Sequence, residues 1–595
     1  MKKYVVTSLA CLAACTFAAA GCGDGSSGSG PEDFAPRYQP TSDAVRGGRL
    51  RVLGNGDFGP LDPGQAINQS TFILVFATQR APLAISSESS SALMPDLADG
   101  MPEVDADHRV MRVRLRDDVR FSPPVNRRVR SDDVRYAIER SLMPGVANGE
   151  IVTYLDGLVG LGRARKGARL HPHRAPVIAG ISCPSPNLIV FRFKGSVPPL
   201  AQAELTLPVT APVPRAYARP YDRSIPSAYG DHVVASGPYM VAEDASGKLT
   251  GYKPGASISL VRNPNWEPAS DFRPAYLDEI DLESGYTNPL AASRQILSGT
   301  SMVSGDIPPP PLALESAATE YPQQLMIAPS SAALYSSLNT QVPPFDDPNV
   351  RRAVIAATDR NAMRLAIGGK TVGNLATHFL PPEVAGFEEA GGVAGPGFDF
   401  LGAPEGDPAL AARYMRRAGY PSGRYDGDAR PVMVTDTTTQ GKRFAEILRQ
   451  AIESLGIDVD EVQVSRDTMY SPYCNVPAKR VAVCPDVGWV GQFGDGQTVL
   501  DPTFNGAAIM PVNNSNWSLL DVPAVNRAID RAKQVTGEEA RAQSWGRIDR
   551  QITGLAPAVP IVWLNISYLS SANVNLVLER SATTPALPMI SLKGG

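Results

Sequence analysis

The chain has 595 residues, 43% of them hydrophobic and 19% charged, with 56 Lys and Arg against 60 Asp and Glu. That length exceeds what one small core needs, so two or more lobes are expected. A net charge of −4 lacks the basic footprint of a nucleic-acid-binding protein, so no nucleic acid is expected as a partner.

Lys2 and Lys3 open an apolar stretch over residues 5–20, and Ala19-Ala20-Gly21 leads into Cys22. This order reads as a secretory signal over residues 1–21. Its apolar part is short for a membrane span, which needs roughly 20 such residues. Removal of the signal takes Lys2 and Lys3 with it and moves the net charge from −4 to −6. Small residues before a cysteine resemble the lipobox of bacterial lipoproteins, which implies that Cys22 is diacylated and anchors the protein to a membrane. The alternative is an ordinary cleaved signal with an incidental cysteine. Residues 22–44, beginning Cys22-Gly23-Asp24-Gly25-Ser26-Ser27-Gly28-Ser29-Gly30, read as a flexible tether.

Beyond the tether, residues 49–53 alternate like a strand. Gly54-Asn55-Gly56-Asp57-Phe58-Gly59 matches the dinucleotide fingerprint only as a pattern. That fingerprint must open a helix, and Pro60-Leu61-Asp62-Pro63 is turn chemistry. Residues 110–115 alternate again. Ser131 is the expected N-cap of a helix with Asp132 and Asp133 in its first turn and Val134, Ala137, Ile138 and Leu142 inward. Residues 181–193 read as a strand pair. Asp347-Pro348 and Asp407-Pro408 each start a helix. The first buries Val350, Ala353, Val354 and Ala357. The second buries Leu410, Ala411 and Tyr414, and Gly419 stops it. Mixed strands and helices predict an α/β or α+β class.

Cys474 and Cys484 lie close in sequence. In an exported protein they read as a disulfide closing a loop of about ten residues, a constraint of on the order of 2–3 kcal/mol, with two buried thiols as the alternative. Cys183 is left as a small buried hydrophobe. His171 and His173 lie among Arg163, Arg165, Lys166, Arg169 and Arg174, a basic setting that disfavours a metal cation, so this segment reads as an exposed loop. His108, His232 and His378 stand alone. Neither a metal site, a cofactor nor a catalytic nucleophile with its base is expected, so the chain does not read as an enzyme.

The turns and caps also carry a family likeness. Gly47-Gly48-Arg49-Leu50, Leu61-Asp62-Pro63, Met94-Pro95-Asp96-Leu97-Ala98 and Ser131-Asp132-Asp133-Val134-Arg135-Tyr136 follow one another in order. Ser236-Gly237-Pro238-Tyr239, Arg262-Asn263-Pro264-Asn265-Trp266 and Tyr276-Leu277-Asp278-Glu279-Ile280 come next. Pro344-Phe345-Asp346-Asp347-Pro348 and Ala418-Gly419-Tyr420-Pro421 complete the series. Together they resemble family 5 solute-binding proteins, the oligopeptide, dipeptide and nickel receptors of ABC importers. Phe121-Ser122-Pro123-Pro124 departs from the family pattern and reads as a changed surface turn.

The resemblance implies a two-lobed periplasmic-binding-protein-like fold of the class C type, with an extra domain inserted in lobe one. It implies lobe one at 45–82, 206–295 and 556–595, the inserted domain at 83–205, and lobe two at 296–555. It further implies a monomeric, membrane-anchored receptor passing a peptide or peptide-like ligand to the transmembrane subunits of an ABC permease by hinge closure. Candidate ligand-binding residues are Trp489, Gln492, Phe493 and Asp495, with Phe504 and Asn505 in rim loops that extend through Asn513-Asn514-Ser515-Asn516-Trp517. In peptide-binding relatives an acid three residues after the tryptophan pairs with the peptide's α-ammonium group; Gln492 stands there instead. A desolvated ammonium needs a compensating charge, so either Asp495 or another acid in the cleft takes over, or the ligand is a peptide held mainly by backbone hydrogen bonds and side-chain pockets, or it lacks a free amine. The alternatives are a non-peptide solute (oligosaccharide, chelated metal or another metabolite), or a ligand sensor rather than an importer subunit.

Overall fold

The computed structural model describes residues 34–66, 69–146, 154–511, 514–580 and 582–594. The expected signal (1–21), Cys22, the tether up to residue 33 and Asn513 lie outside the described residues.

Lobe one is built on a six-stranded sheet in which Arg49–Leu53 lies between Glu279–Glu283 and Met302–Ser304, both parallel to it. The alternation of 49–53 sends Leu50 and Val52 into the core beside Ile280 and Leu282. It turns Arg51 outward, where its guanidinium meets Glu283 in two bonds of 2.6 and 2.7 Å. The glycine-rich loop that follows opens no dinucleotide site. The N–H groups of Asn55 and Gly56 donate to the Asp306 carboxylate, at 2.7 and 3.2 Å.

The inserted domain has its own four-stranded sheet, Glu103–Val104, Val110–Arg114, Leu188–Arg192 and Ile181–Ser185. The helix Ser131–Arg140 packs on it. Arg130, not Ser131, is the N-cap: Asp133 reaches back to accept the Arg130 N–H at 2.9 Å, while the Ser131 hydroxyl donates to the Ser185 carbonyl at 2.7 Å. Phe121 and Ser122 are buried, so the departure from the family pattern is a surface turn only at its proline end. Asp347 and Asp407 cap their helices, accepting from Asn349 and Leu410 at 2.6 and 2.8 Å, and Gly419 takes the left-handed conformation past the second helix at φ +95°.

Lobe two is a six-stranded mixed sheet of Gly373–Leu375, Ala558–Leu569, Leu325–Leu338, Val483–Val490, Val432–Asp436 and Asp460–Val464. Its two long strands also connect the lobes. Met326, Ala328 and Tyr568 belong to the lobe-one core, whereas Leu334, Leu338, Val559 and Ile561 belong to lobe two. Their pairing breaks register between Pro329 and Ala333, so Ser330, Ser331 and Ala332 form an irregular crossing where the strands can bend.

These contacts differ from four expected boundaries. The chain returns to lobe one near Ile566 rather than at 556, since Val559, Ile561 and Val562 lie in the lobe-two core. Residues 296–328 lie in lobe one, because Met302–Ser304 joins its sheet and Leu314 and Ala317 share a core cluster with Ile296 and Leu297. Leu205, Leu207, Val209 and Val234 stay in the inserted-domain core, so the chain returns to lobe one near Tyr239 rather than at 206. The tether ends before Phe34, which is buried among Leu53, Ile296 and Leu569, and the Arg37 carbonyl accepts the Leu578 N–H at 2.8 Å.

Cys474 and Cys484 are bonded, with Cα atoms 6.4 Å apart. Cys183 is free and half-buried rather than fully buried, and burial pushes its thiol up to about 11. Its alkylation at pH 8 is expected to run about a hundredfold below that of an exposed thiol and to accelerate steeply towards pH 11. Iodoacetamide labelling against pH, read by mass spectrometry at Cys183, checks this. Among the described residues no helix is long and apolar enough to cross a membrane, and no group of His, Cys, Asp and Glu is placed to hold a metal.

Candidate functional site

A cavity of about 980 Å³ lies where lobe one, the inserted domain and lobe two meet the irregular crossing of the two long strands. Ser330, Ser331 and Ala332 line it from one strand and Leu564, Asn565 and Ile566 from the other. Motion at the crossing would therefore change the cavity directly.

The wall is largely apolar. Lobe one contributes Phe72, Val75 and Phe76, the inserted domain Leu83 and Ile85, and lobe two Trp489, Val490 and Pro502. The Trp489 indole N–H donates to the Thr498 carbonyl at 2.7 Å, which fixes the ring in the wall. Charged groups in the lining are engaged by the protein. Asp96 sits between Arg273, at 2.9 and 3.0 Å, and Arg80, at 2.7 Å. Burial nonetheless raises its carboxyl above the ordinary value, against the pull of the two arginines. Asp501 meets Lys533 at 2.6 Å, and Glu579 accepts the Ala582 N–H at 2.9 Å.

Gln492 lines the cavity and bridges the lobes: the Tyr154 hydroxyl of the inserted domain donates to its side-chain oxygen. Phe493 lies beside the cavity rather than in its lining. It enters the inserted domain's apolar cluster and meets Tyr154 edge-on, with ring centroids 5.0 Å apart.

Three expected ligand contacts do not reach the cavity. Asp495 is buried and held by Arg541 in two bonds of 2.7 Å, with the Gln497 N–H donating to it at 2.9 Å, so it is not available to replace the missing acid. Phe504 packs against Phe379 and Tyr335 in the lobe-two core. Asn505 caps the turn after the helix Gln497–Phe504, accepting from Ala507 at 3.0 Å and donating to Asp501 at 2.7 Å. Within 500–506, Asp501 and Pro502 reach the cavity lining from the helix Gln497–Phe504, whereas Phe504 and Asn505 serve the lobe-two core and the helix end. Tyr154, Glu579 and the serines at the crossing escape sequence reading because no local pattern marks them.

The model of bacterial extracellular solute-binding proteins, family 5, matches residues 92–510. Heme-binding protein A of Haemophilus influenzae is 25% identical over 228 residues, 38% of either chain. The oligopeptide-binding protein OppA of Bacillus subtilis is 21% identical over 360 residues, 59% of either chain. The chain thus matches less than two thirds of the length of these curated relatives. A solved structure titled clavulanic acid biosynthesis oligopeptide binding protein 2 superposes with a TM-score of 0.78 at 24% identity, over 95% of this chain and 100% of that one, and supports the two-lobed fold. Two lobes around a cavity at a two-strand crossing, together with a family match over most of the chain, lead to one conclusion: this protein belongs to the family 5 bacterial extracellular solute-binding proteins, which are binding proteins and not enzymes.

Proposed function

We propose that this protein is a membrane-anchored extracytoplasmic receptor that closes on a peptide-like ligand lacking a free, strongly held ammonium group and passes it to an ABC permease. The observation that carries the reading is the cavity wall. It is broad and apolar, its charges are engaged by protein partners, and Gln492 supplies a dipole at the position where peptide-binding relatives carry an acid. Charge-assisted hydrogen bonds contribute about 1.5–3 kcal/mol against roughly 1 for neutral ones, so a free amino terminus would bind about tenfold less well here than beside a carboxylate. Trp489 and Phe76 suit apolar side chains or rings. Acylation of Cys22 would keep the receptor beside its permease at high effective concentration.

Mass spectrometry of ligand released by denaturing the purified protein tests the ligand class. Thermal shifts with free and N-acetylated forms of one peptide then test the role of Gln492. Similar stabilisation by both is expected, and strong preference for the free amine sinks the reading. Gln492→Asp is expected to raise affinity for the free peptide about tenfold; no change would place residue 492 outside the amino-terminal pocket.

A second reading, a non-peptide amphiphile such as a tetrapyrrole, draws on the named ligand of the Haemophilus relative and on the apolar wall. The same mass spectrum separates the two.

A further inference from the structure

The inserted domain carries a surface that ligand capture does not use. The helix Leu161–Leu170 buries Leu161, Ala164 and Ala168 and turns the opposite side to solvent. Arg163, Lys166 and Leu170 follow one another at spacings of three and four along that outer side, with Arg169 beside them, so they form one row. Arg165 is also exposed, and so are His171, His173 and Arg174 in the segment that follows. His171 and His173 lie in an exposed loop, as expected, and the basic residues before them are carried by the helix Leu161–Leu170.

Two properties set this surface apart. First, residues 161–179 contain no acidic side chain, and Arg163, Arg165, Lys166, Arg169 and Arg174 form no ion pair among the described residues, although the whole chain is net acidic. Like charges at these spacings repel, so the cluster is unfavourable for the isolated helix. Second, two large apolar side chains of the same acid-free segment are exposed: Leu170 is 75% exposed and Val177 61%. A polyanion such as nucleic acid would use the charges and leave the apolar groups in water. An anionic bilayer uses both, because basic groups sit among headgroup phosphates while apolar side chains reach the acyl boundary.

We infer that the outer face of helix 161–170 and the loop to Val177 form a docking surface for an anionic lipid bilayer, orienting the inserted domain towards the membrane. The chemistry is electrostatic attraction to phosphate headgroups reinforced by insertion of Leu170 and Val177. The charge makes the contact salt-sensitive, and the apolar pair makes it depend on a lipid phase.

The test uses the full chain carrying Cys22→Ser, which has no thiol to acylate there, so its outcome is independent of the proposed anchor. Co-sedimentation with vesicles of phosphatidylcholine alone and of phosphatidylcholine with phosphatidylglycerol is compared at low salt and at about 0.5 M salt. Binding to the anionic vesicles only, lost at high salt, is expected. The combined Arg163→Glu, Lys166→Glu and Arg169→Glu variant is expected to bind them at least about tenfold less. Leu170→Trp adds a reading that charge alone would not move: a blue-shifted emission on adding anionic vesicles. Unchanged thermal unfolding of the variants shows that folding is intact. Failure of the native surface to bind anionic vesicles, equal binding by the charge-reversed variant, or binding to double-stranded DNA as tight as to vesicles with no shift in the emission of the introduced indole would each overturn the inference.

Discussion

Replacing Arg140 with methionine is expected to destabilise the protein by about 3–5 kcal/mol at neutral pH, with a loss that shrinks on mild acidification. Arg140 is fully buried at the last turn of the helix Ser131–Arg140. It holds Asp62 of the loop leaving the lobe-one sheet through two bonds of 2.8 Å, and Asp222 of the returning chain at 3.0 Å. One guanidinium thus fixes the junction of the inserted domain with lobe one. Burial works to raise the Asp222 carboxyl, but bonds from Arg140, Ser227 and Tyr136 hold it below its ordinary value. A depressed folded value gives stability that is present above the ordinary carboxylate range and lost as pH falls through the folded value. Without the guanidinium the balance reverses. Burial then raises the Asp222 carboxyl, and protonation relieves the variant, so its deficit narrows from pH 7 towards pH 5. Chemical denaturation at several pH values checks both claims. Addition of Asp222→Asn to the variant is expected to recover part of the loss at pH 7, because an unpaired buried charge disappears. A deficit that is independent of pH would show that lost packing, not the stranded carboxylate, dominates.

Devices closed within a few residues are legible in the sequence, and contacts made across the chain are not. The caps at Asp347 and Asp407 were legible because a cap is satisfied within three residues of itself. The family blocks were legible because they mark such local devices and close approaches. Gly237, for example, has backbone atoms of Thr78 and Gln79 within about 3 Å of where a Cβ would stand, so only glycine fits. The lobe boundaries were not legible. The strand Leu325–Leu338 is buried along nearly its whole length, so no change of pattern marks where it leaves one core and enters the next. The cavity was half legible. Trp489 and Gln492 stand at the end of a recognisable strand, but the partner of Gln492 lies 338 residues away in sequence. Asp495 looked like a free acid because Arg541, which holds it, lies in a distant helix.

Truncating Phe493 to alanine is expected to separate the lobes and weaken ligand binding together. Burying a phenylalanine in a packed core contributes on the order of 3–5 kcal/mol by large-to-small substitution. Here the ring belongs to lobe two by sequence and to the inserted domain by packing, where it is 6% exposed and lies edge-on to Tyr154. Its burial therefore exists only while the two units meet. The contact has company: the Ser90 hydroxyl donates to the Glu383 carbonyl at 2.6 Å, Ser91 to Glu538 at 2.7 Å, and the Arg580 guanidinium meets Glu383 at 3.2 Å. At Gly494 a Cβ would stand 2.9 Å from the Ser90 carbonyl carbon, so the backbones themselves are in contact. A ligand that bridges the lobes adds to this pre-existing attraction, and any loss from the attraction appears as lost affinity. Small-angle scattering is expected to give Phe493→Ala a larger radius of gyration than the native protein, while affinity for the ligand recovered from the native protein falls at least about tenfold. Phe493→Leu, which keeps most of the apolar volume, is expected to restore both. A variant that melts earlier with an unchanged radius of gyration would make Phe493 an ordinary core residue, and closure would then rest on the ligand and the polar bridges alone.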